Sequence, residues 1–190
     1  MDDFLKETER ITLLKVARDS IAKAVIGEKL LPITLADYPP NLQEDGVTFV
    51  TLTKAGKLRG CIGALEPYQA LVLDVQEHAA AAAMNDYRFP NVREEELPQI
   101  KIEISRLTPI RPLLYSTPQE LMGLLRVKED GVLIKYDGRR ATFLPQVWEQ
   151  VPDPAKFLSQ LCMKMGMRPE LWREQELEVF TYQVEKFEEE

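Results

Sequence analysis

The chain has 190 residues, of which 45% are hydrophobic and 29% charged, and it contains no low-complexity tract. This profile predicts one compact domain with a sizeable core, although two small lobes would also fit. The 31 acidic residues outnumber the 24 basic ones and give a formal charge of -7, which disfavours nonspecific nucleic-acid binding.

Two further classes of protein are disfavoured. No apolar run approaches the roughly 20 residues that span a bilayer, and MDDFLKETER lacks the basic start and apolar core of a signal peptide. The sequence therefore predicts a cytoplasmic protein with reduced thiols. The two cysteines, Cys61 and Cys162, and the single histidine, His78, cannot build a zinc cage alone. We expect no metal and no cofactor; a carboxylate site for a hard cation stays open, but no spacing argues for one.

The N-terminal half predicts a helix followed by a hairpin. Apolar residues recur at helical spacing over residues 8–29, which is typical of an amphipathic helix that covers a sheet. A proline-rich connection leads to VTFVTL, residues 47–52, which has the β-branched and aromatic side chains of a strand. The turn residues TKAGK then separate this strand from LRGCIGAL, so we expect the two strands to pair.

The middle of the chain predicts a helix, a strand and a short helix. Residues 68–86 have helical spacing and an alanine run that permits close packing. In QIKIEISRL, residues 99–107, isoleucines alternate with polar residues, which predicts a half-buried strand. A proline-rich loop precedes a short helix, QELMGLL, with Ser116 or Thr117 as its cap.

The strongest hairpin signal lies in GVLIKYDGRRATFL, residues 131–144, because Asp137 and Gly138 suit the positive backbone angles of a tight turn. A helix is predicted over residues 153–167, with Asp153 as its cap. The segment LEVFTYQVEKF then predicts one last strand. Short strands joined by hairpins predict an α+β fold with a largely antiparallel sheet flanked by helices.

The stretch KLRGCIGAL, residues 57–65, is the first candidate site. Gly60 and Gly63 flank Cys61 in a predicted strand, where glycine usually marks a bulge or the close approach of another chain or a ligand. Arg59 and Cys61 should share a face, and a guanidinium beside a thiol favours the nucleophilic thiolate. We therefore predict a pocket here, with Cys61 catalytic and Arg59, Gly60 and Gly63 binding. The alternatives are a small buried cysteine and a surface ion pair.

Two residues are candidates for proton transfer with this thiol. Histidine is the side chain whose ordinary pKa lies nearest neutrality. Because His78 is the single histidine of the chain, any Cys–His pair must use it. Glu103 lies on the strand face opposite the isoleucines. A structural histidine among alanines and a solvated acid are the alternative interpretations. Arg88 in DYRFPNV would bind an anion or pin a loop, and Gln146 in LPQVW offers an amide that can donate and accept.

No P-loop, GxGxxG, GxSxG or HExxH pattern occurs. Four segments in order, LRGCIGAL, DYRFPNVREEELP, IEISRLTP and GRRATFLPQVWEQVPDPAKFLSQLC, resemble the AMMECR domain family over about residues 10–187. The resemblance implies one α+β domain, spanning residues 1–190, with a larger lobe, a smaller lobe and a cleft at the RGCIG stretch. It also implies a genomic association of the prokaryotic members, AmmeMemoRadiSam system protein A, with a Memo-type protein and a radical SAM protein. It implies no settled activity.

Matched residue by residue, the family pattern covers positions 58–63, 88–90 and 142–148. It thereby adds Thr142 to the binding candidates, which also include Arg88 and Gln146. Tyr87 and Asn91 stand where the family often has proline, which loosens the expected rigidity of that loop. Two hypotheses follow: a cysteine-dependent enzyme acting alongside the Memo-type and radical SAM proteins, or a non-catalytic module that binds a protein or small molecule.

Overall fold

A computed structural model describes residues 4–189 of the chain, which divides into two compact units. The first unit runs to Thr108 and resumes at Glu185, and the second is Pro109–Val184. Each unit has its own four-stranded sheet and its own cluster of buried apolar residues. The predicted α+β class is confirmed, with two antiparallel sheets. Within residues 4–189, none of the helices has both the length and the apolar character of a membrane span.

The first unit has helices α1 (Glu7–Val25), α2 (Pro40–Gln43) and α3 (Leu71–Met84), and strands β1 (Val47–Lys54), β2 (Lys57–Gly63) and β3 (Ile100–Leu107). The second unit has strands β4 (Arg111–Pro112), β5 (Gly131–Tyr136), β6 (Arg139–Phe143) and β7 (Glu178–Tyr182), and helices α4 (Pro118–Leu124), α5 (Pro154–Lys164) and α6 (Leu171–Glu174). Strand β8 (Val184–Glu188) returns to the first sheet. Short 3-10 helices lie at Leu35–Asp37, Glu94–Gln99 and Pro145–Glu149.

The first sheet has the order β2-β1-β3-β8 and packs one face against α1 and α3. Val50 and Leu52 of β1, and Ile102 and Ile104 of β3, are fully buried on that face. The residues between them point to the opposite face, because side chains alternate along a strand. We call this second face, which carries Thr51 and Glu103, the outer face of the first sheet.

The glycines of β2 make room for the protein's own neighbouring elements. A Cβ at Gly60 would overlap the carbonyl oxygen of Ala82 in α3, and a Cβ at Gly63 would overlap the carbonyl oxygen of Thr48 and the ring of Phe49. The close approach that the sequence predicted is therefore made by a helix backbone at Gly60 and by an aromatic ring at Gly63. A ligand-binding role for either glycine stays a prediction.

The second sheet has the order β4-β7-β5-β6. Its β5–β6 hairpin is confirmed, with Asp137 at φ +49° and Gly138 at φ +71°. The helix caps are confirmed as well, because the side chain of Thr117 accepts a hydrogen bond from the Glu120 N–H and that of Asp153 accepts one from the Lys156 N–H.

One predicted element is wrong. The structure divides LEVFTYQVEKF at Gln183 into β7 of the second sheet and β8 of the first, instead of forming one strand. Both parts of the segment have the β-branched and aromatic composition of a strand, and composition carries no information about which strand is the partner. The boundary between two sheets was therefore invisible in this segment.

Candidate functional site

Cys61 lies on β2, the edge strand of the first sheet, and the residue is partly exposed. It pairs with Thr51 of β1, which in turn pairs with Glu103 of β3. The Thr51 hydroxyl donates a hydrogen bond to Cys61 Sγ at 3.3 Å. The sulfur therefore belongs to the outer face of the first sheet, in one row with a threonine and a glutamate.

A β-bulge places the sulfur on that face. The register of β1 and β2 shifts between Leu52 and Thr53, so that one residue of β2 has no partner. Next to the Ala55–Gly56 turn, Lys54 pairs with Lys57 and Thr53 with Leu58. If this register continued without a bulge, Cys61 would pair with Val50 and its side chain would point to the buried face. A one-residue shift moves every later side chain to the other face. Cys61 therefore faces outward because of the bulge.

An ion pair holds the backbone of Cys61 at the edge of the sheet. The Cys61 N–H donates to Asp86 Oδ2 at 2.8 Å, and Arg88 Nη2 donates to the Cys61 carbonyl oxygen at 3.1 Å. Arg88 also donates through Nε and Nη2 to the two carboxylate oxygens of Asp86, at 2.9 and 2.7 Å. We call this pair the Asp86–Arg88 clamp. It occupies the place of a further strand and protects the edge from other chains.

The Asp86 carboxyl of the clamp is held in its ionised form. Asp86 is only 5% exposed. The hydrogen bond from Arg88, followed by the one from the Cys61 N–H, holds the pKa of the Asp86 carboxyl well below its usual range, although burial acts in the opposite direction. The carboxylate therefore stays ionised in mild acid and keeps both partners.

Arg59 is engaged elsewhere. Its guanidinium donates to both oxygens of Glu96, at 3.2 and 2.9 Å, and to the carbonyl oxygens of Pro90 and Asn91, at 2.8 and 3.2 Å. These bonds hold the loop after α3, and the Arg59 bond is the main reason that the pKa of the Glu96 carboxyl lies well below its usual range. The guanidinium bonded to Cys61 is that of Arg88. The predicted role of Arg59 beside the thiol stays a prediction.

His78 lies in a different cluster. It is buried on α3, with Nδ1 3.2 Å from Asp74 Oδ2 and Nε2 3.4 Å from the Tyr68 hydroxyl oxygen. The same Asp74 oxygen accepts bonds from the N–H and hydroxyl of Thr48. Because α3 covers the buried face of the sheet, His78 and the Cys61 sulfur lie on opposite sides of it. The structure brings His78 together with Asp74 and Tyr68, and no contact supports a Cys–His pair.

Glu103 shares the outer face with Cys61, as predicted from its strand pattern, but Thr51 lies between them. Two strand spacings separate their backbones by about 10 Å. The Ser105 hydroxyl donates to the Glu103 carboxylate at 3.4 Å, and Lys186 Nζ lies 3.9 Å from it. A direct proton transfer between Glu103 and the thiol therefore has no contact to carry it.

Thr142 and Gln146 belong to the second unit. The Thr142 hydroxyl donates to the Val132 carbonyl oxygen at 3.0 Å and lies 2.8 Å from the Tyr182 hydroxyl. Gln146 is exposed on the Pro145–Glu149 3-10 helix. Their part in a site with Cys61 stays a prediction. Across residues 4–189, no group of three or more His, Cys, Asp or Glu side chains is arranged to hold a metal ion.

Sequence reasoning missed two residues at Cys61. Asp86 stands two positions before Arg88, a spacing at which a carboxylate and a guanidinium can pair across a turn, and this signal was available. Thr51 could be found only by knowing the bulge that brings it opposite Cys61.

The fold and the site define a class of two-unit α+β proteins in which an edge strand presents a cysteine. The AMMECR1 family model matches residues 14–187, so the chain belongs to the AMMECR1 family, as its four motifs indicated. A protein from Methanothermobacter thermautotrophicus is 39% identical over 97% of this chain and 96% of its own length. Protein MJ0810 of Methanocaldococcus jannaschii is 35% identical over 93% and 88%.

A solved structure shares the fold. The crystal structure of uncharacterized protein PH0010 from Pyrococcus horikoshii superposes with a TM-score of 0.73 at 32% sequence identity. The match covers 98% of this chain and 94% of PH0010. Both units therefore belong to one shared family architecture.

Proposed function

We propose that this protein binds a small anionic ligand beside Cys61, with Arg88 as its cation. The observation that carries the proposal is the bonding of Arg88. Its Nε and Nη2 are bonded to Asp86 and Cys61, whereas its Nη1 has no partner among residues 4–189. The side chain is 45% exposed. A guanidinium held in one orientation with a free donor is suited to a carboxylate or a phosphate.

The two carboxylates nearest the clamp are both paired with cations. Glu96 carries three cationic neighbours, with Lys54 Nζ at 2.9 Å, Arg59 Nη2 at 2.9 Å and Arg93 Nε at 4.0 Å. Arg88 pairs with Asp86 at 2.7 Å. Neither Glu96 nor Asp86 therefore leaves an uncompensated negative charge that would repel an anion from Arg88.

The thiol contributes a contact of fixed position. Thr51 bonds the sulfur, and the clamp bonds both backbone groups of the same residue. The contact atoms are thus positioned before a ligand arrives, which reduces the entropy that binding must overcome.

A titration of the full chain tests the proposal. We expect the backbone amide signals of Cys61, Asp86 and Arg88 to shift saturably with sodium phosphate or sodium acetate at constant ionic strength, and not with chloride. Arg88→Gln should weaken this binding at least tenfold. The matched control is Arg126→Gln, since Arg126 also pairs with a buried aspartate. Unsaturable shifts, or equal losses in both variants, would contradict the proposal.

A second candidate is a cysteine-dependent enzyme, and the bond from Thr51 to Cys61 Sγ favours it. A hydroxyl that donates to sulfur favours the thiolate, the form that attacks electrophiles. If this bond activates Cys61, Thr51→Val should slow its alkylation by iodoacetamide several-fold at pH 7. Thr53→Val, in the same strand and on the same face, should leave the rate unchanged. Equal rates in both variants would remove this candidate.

We propose in addition that the site works in the cytoplasm alongside the Memo-type and radical SAM proteins that the family motifs imply, as donor or recipient of the ligand. Co-expression of the three proteins from one genome tests this part. Tagged protein should retain a partner, and Arg88→Gln should reduce the amount retained. Retention of neither partner would contradict it.

A further inference from the structure

We propose that the second unit carries a docking groove for an extended segment of a partner protein that presents arginine or lysine between apolar residues. The groove has a volume of about 400 Å³ and is lined by residues 112–115 and 176–180. We call it the β4–β7 groove. The proposal is independent of the anion site, because every residue that carries it belongs to the second unit.

The groove forms where two paired segments separate. Strand β4 pairs with β7 only through Arg111 and Pro112, and the last backbone bond runs from the Leu113 N–H to the Val179 carbonyl oxygen at 2.8 Å. The Tyr115 hydroxyl then accepts a bond from the Leu177 N–H and donates one to the Leu177 carbonyl oxygen. These bonds cap the backbone edge of the sheet there. A partner must therefore bind through its side chains and not by adding a strand.

The groove has an apolar side. Leu114 is 85% exposed, although a leucine of a folded domain is usually buried. Phe180 is half-buried on the neighbouring strand, and the Lys135 ammonium lies 4.8 Å from the centre of its ring. That contact covers part of the ring with a cation of the chain itself. Leu114 and the part of the Phe180 ring that Lys135 leaves uncovered offer apolar surface to the stem of a long cationic side chain.

The groove also has an acidic side. Glu176 and Glu178 are exposed and alternate with the buried Leu177 and Val179. Neither glutamate has an ion-pair partner among residues 4–189, whereas the nearby Glu174 is paired with Arg168 at 2.7 Å. Two unpaired carboxylates beside exposed apolar surface complement an arginine or lysine with apolar neighbours.

A second depression adjoins the groove. Its volume is about 450 Å³, and it is lined by residues that include Ser116, Pro118 and Trp172. The two depressions share Tyr115 and Glu176. Two adjoining depressions of this size leave room for more than one residue of an extended segment.

Two short peptides test the groove on the full chain. We expect acetyl-Leu-Arg-Leu-amide to shift the amide signals of residues 112–115 and 176–180 saturably, and acetyl-Leu-Gln-Leu-amide to bind at least fivefold more weakly. The double variant Glu176→Gln, Glu178→Gln should weaken the arginine peptide at least fivefold, and Leu114→Ala should weaken both peptides. The control Glu149→Gln, Glu170→Gln removes the same charge from exposed positions outside the groove and should leave binding unchanged.

Three results would overturn the proposal. Shifts spread over the chain, or absent up to the solubility of the peptide, would exclude a docking site. Equal weakening in the control double variant would show attraction by net charge only. If sedimentation shows that the chain self-associates, and Leu114→Ser abolishes this association, the occupant of the groove is a second copy of this chain. Arg88→Gln should change none of these measurements, so the groove and the anion site can fail separately.

Discussion

Each unit of the molecule contains a buried aspartate paired with an exposed arginine. In the first unit this is the Asp86–Arg88 clamp, and in the second it is Asp130 with Arg126, whose Nη2 donates to Asp130 Oδ1 at 2.8 Å. In both pairs the arginine's own N–H also donates to the carboxylate, at 3.2 and 2.9 Å. The two pairs therefore share the same kinds of hydrogen bond, although the aspartate precedes its arginine by two residues in the first pair and follows it by four in the second.

They differ in what else they hold. Asp130 and Arg126 close the turn before β5, and the Asp130 carbonyl oxygen accepts a bond from the buried Trp148 indole. Asp86 and Arg88 instead bond both backbone groups of Cys61, a partly exposed residue on an edge strand. A paired aspartate and arginine thus stabilise either unit, and only the partner they hold makes one pair a candidate site.

The largest expected difference is between the alkylation rates of the two cysteines. Cys162 is fully buried, and burial raises the pKa of its thiol, whereas Cys61 is partly exposed. Iodoacetamide should therefore modify Cys61 at least about a hundredfold faster than Cys162 in the folded chain. Peptide mapping by mass spectrometry measures both rates. Similar rates would mean that the thiol of the candidate site is not accessible.

Removing the two aspartates sharpens the contrast. Asp86→Ala and Asp130→Ala each leave a partly buried N–H and an arginine without their acceptor, and each should lower the free energy of unfolding by about 2–3 kcal/mol. Urea denaturation measures this loss. Only Asp86→Ala should also move the amide signal of Cys61. A Cys61 signal that responds equally to both variants would make the clamp an ordinary structural pair.

Replacing one glycine in each unit by alanine should change the free energy of unfolding by smaller amounts, and in opposite directions. At Gly60 an alanine Cβ would overlap the backbone of α3, so Gly60→Ala should destabilise the protein by about 2 kcal/mol. Gly123 of α4 has open space around it, so Gly123→Ala should stabilise by about 0.5–1 kcal/mol. Thermal unfolding of both variants measures the pair. A neutral Gly60→Ala would contradict the close packing of α3 on β2.

Acid should produce the smallest of these changes in stability. The pKa values of Asp86 and Glu96 are lowered by their arginine partners in the folded state, so their stabilisation is present above the unfolded value of about 4. It is lost as the pH falls through the folded values. The unfolding free energy should therefore decrease below about pH 4, and less steeply in Asp86→Asn. Parallel curves would show that Asp86 is not held ionised.

Local signals carried most of the prediction from sequence. Asp137 and Gly138 set a two-residue turn by their backbone angles, and Asp153 and Thr117 cap helices through side chains a few residues away. Each depends on neighbours in the chain, so composition and spacing were sufficient. The motifs that indicated the family are likewise local stretches.

The parts that could not be predicted depend on distant partners. The bulge in β2 decides whether Cys61 faces the core or the outer face, and the glycines of LRGCIGAL indicated a bulge or a close approach without saying which of the two, or at which residue. Arg59 turns to Glu96, which lies 37 residues further along the chain. His78 meets Asp74 on its own helix, so spacing could have found that contact, but its separation from Cys61 requires knowing which face α3 covers.

In the proposed site, Arg88 attracts an anion to the thiol of Cys61. The most direct test compares the alkylation of Cys61 by iodoacetate, an anion, with that by iodoacetamide, its neutral analogue. The ratio of the two rate constants should fall at least fivefold in Arg88→Gln and stay unchanged in Arg126→Gln. A ratio that is the same in the wild-type chain and both variants would contradict the claim.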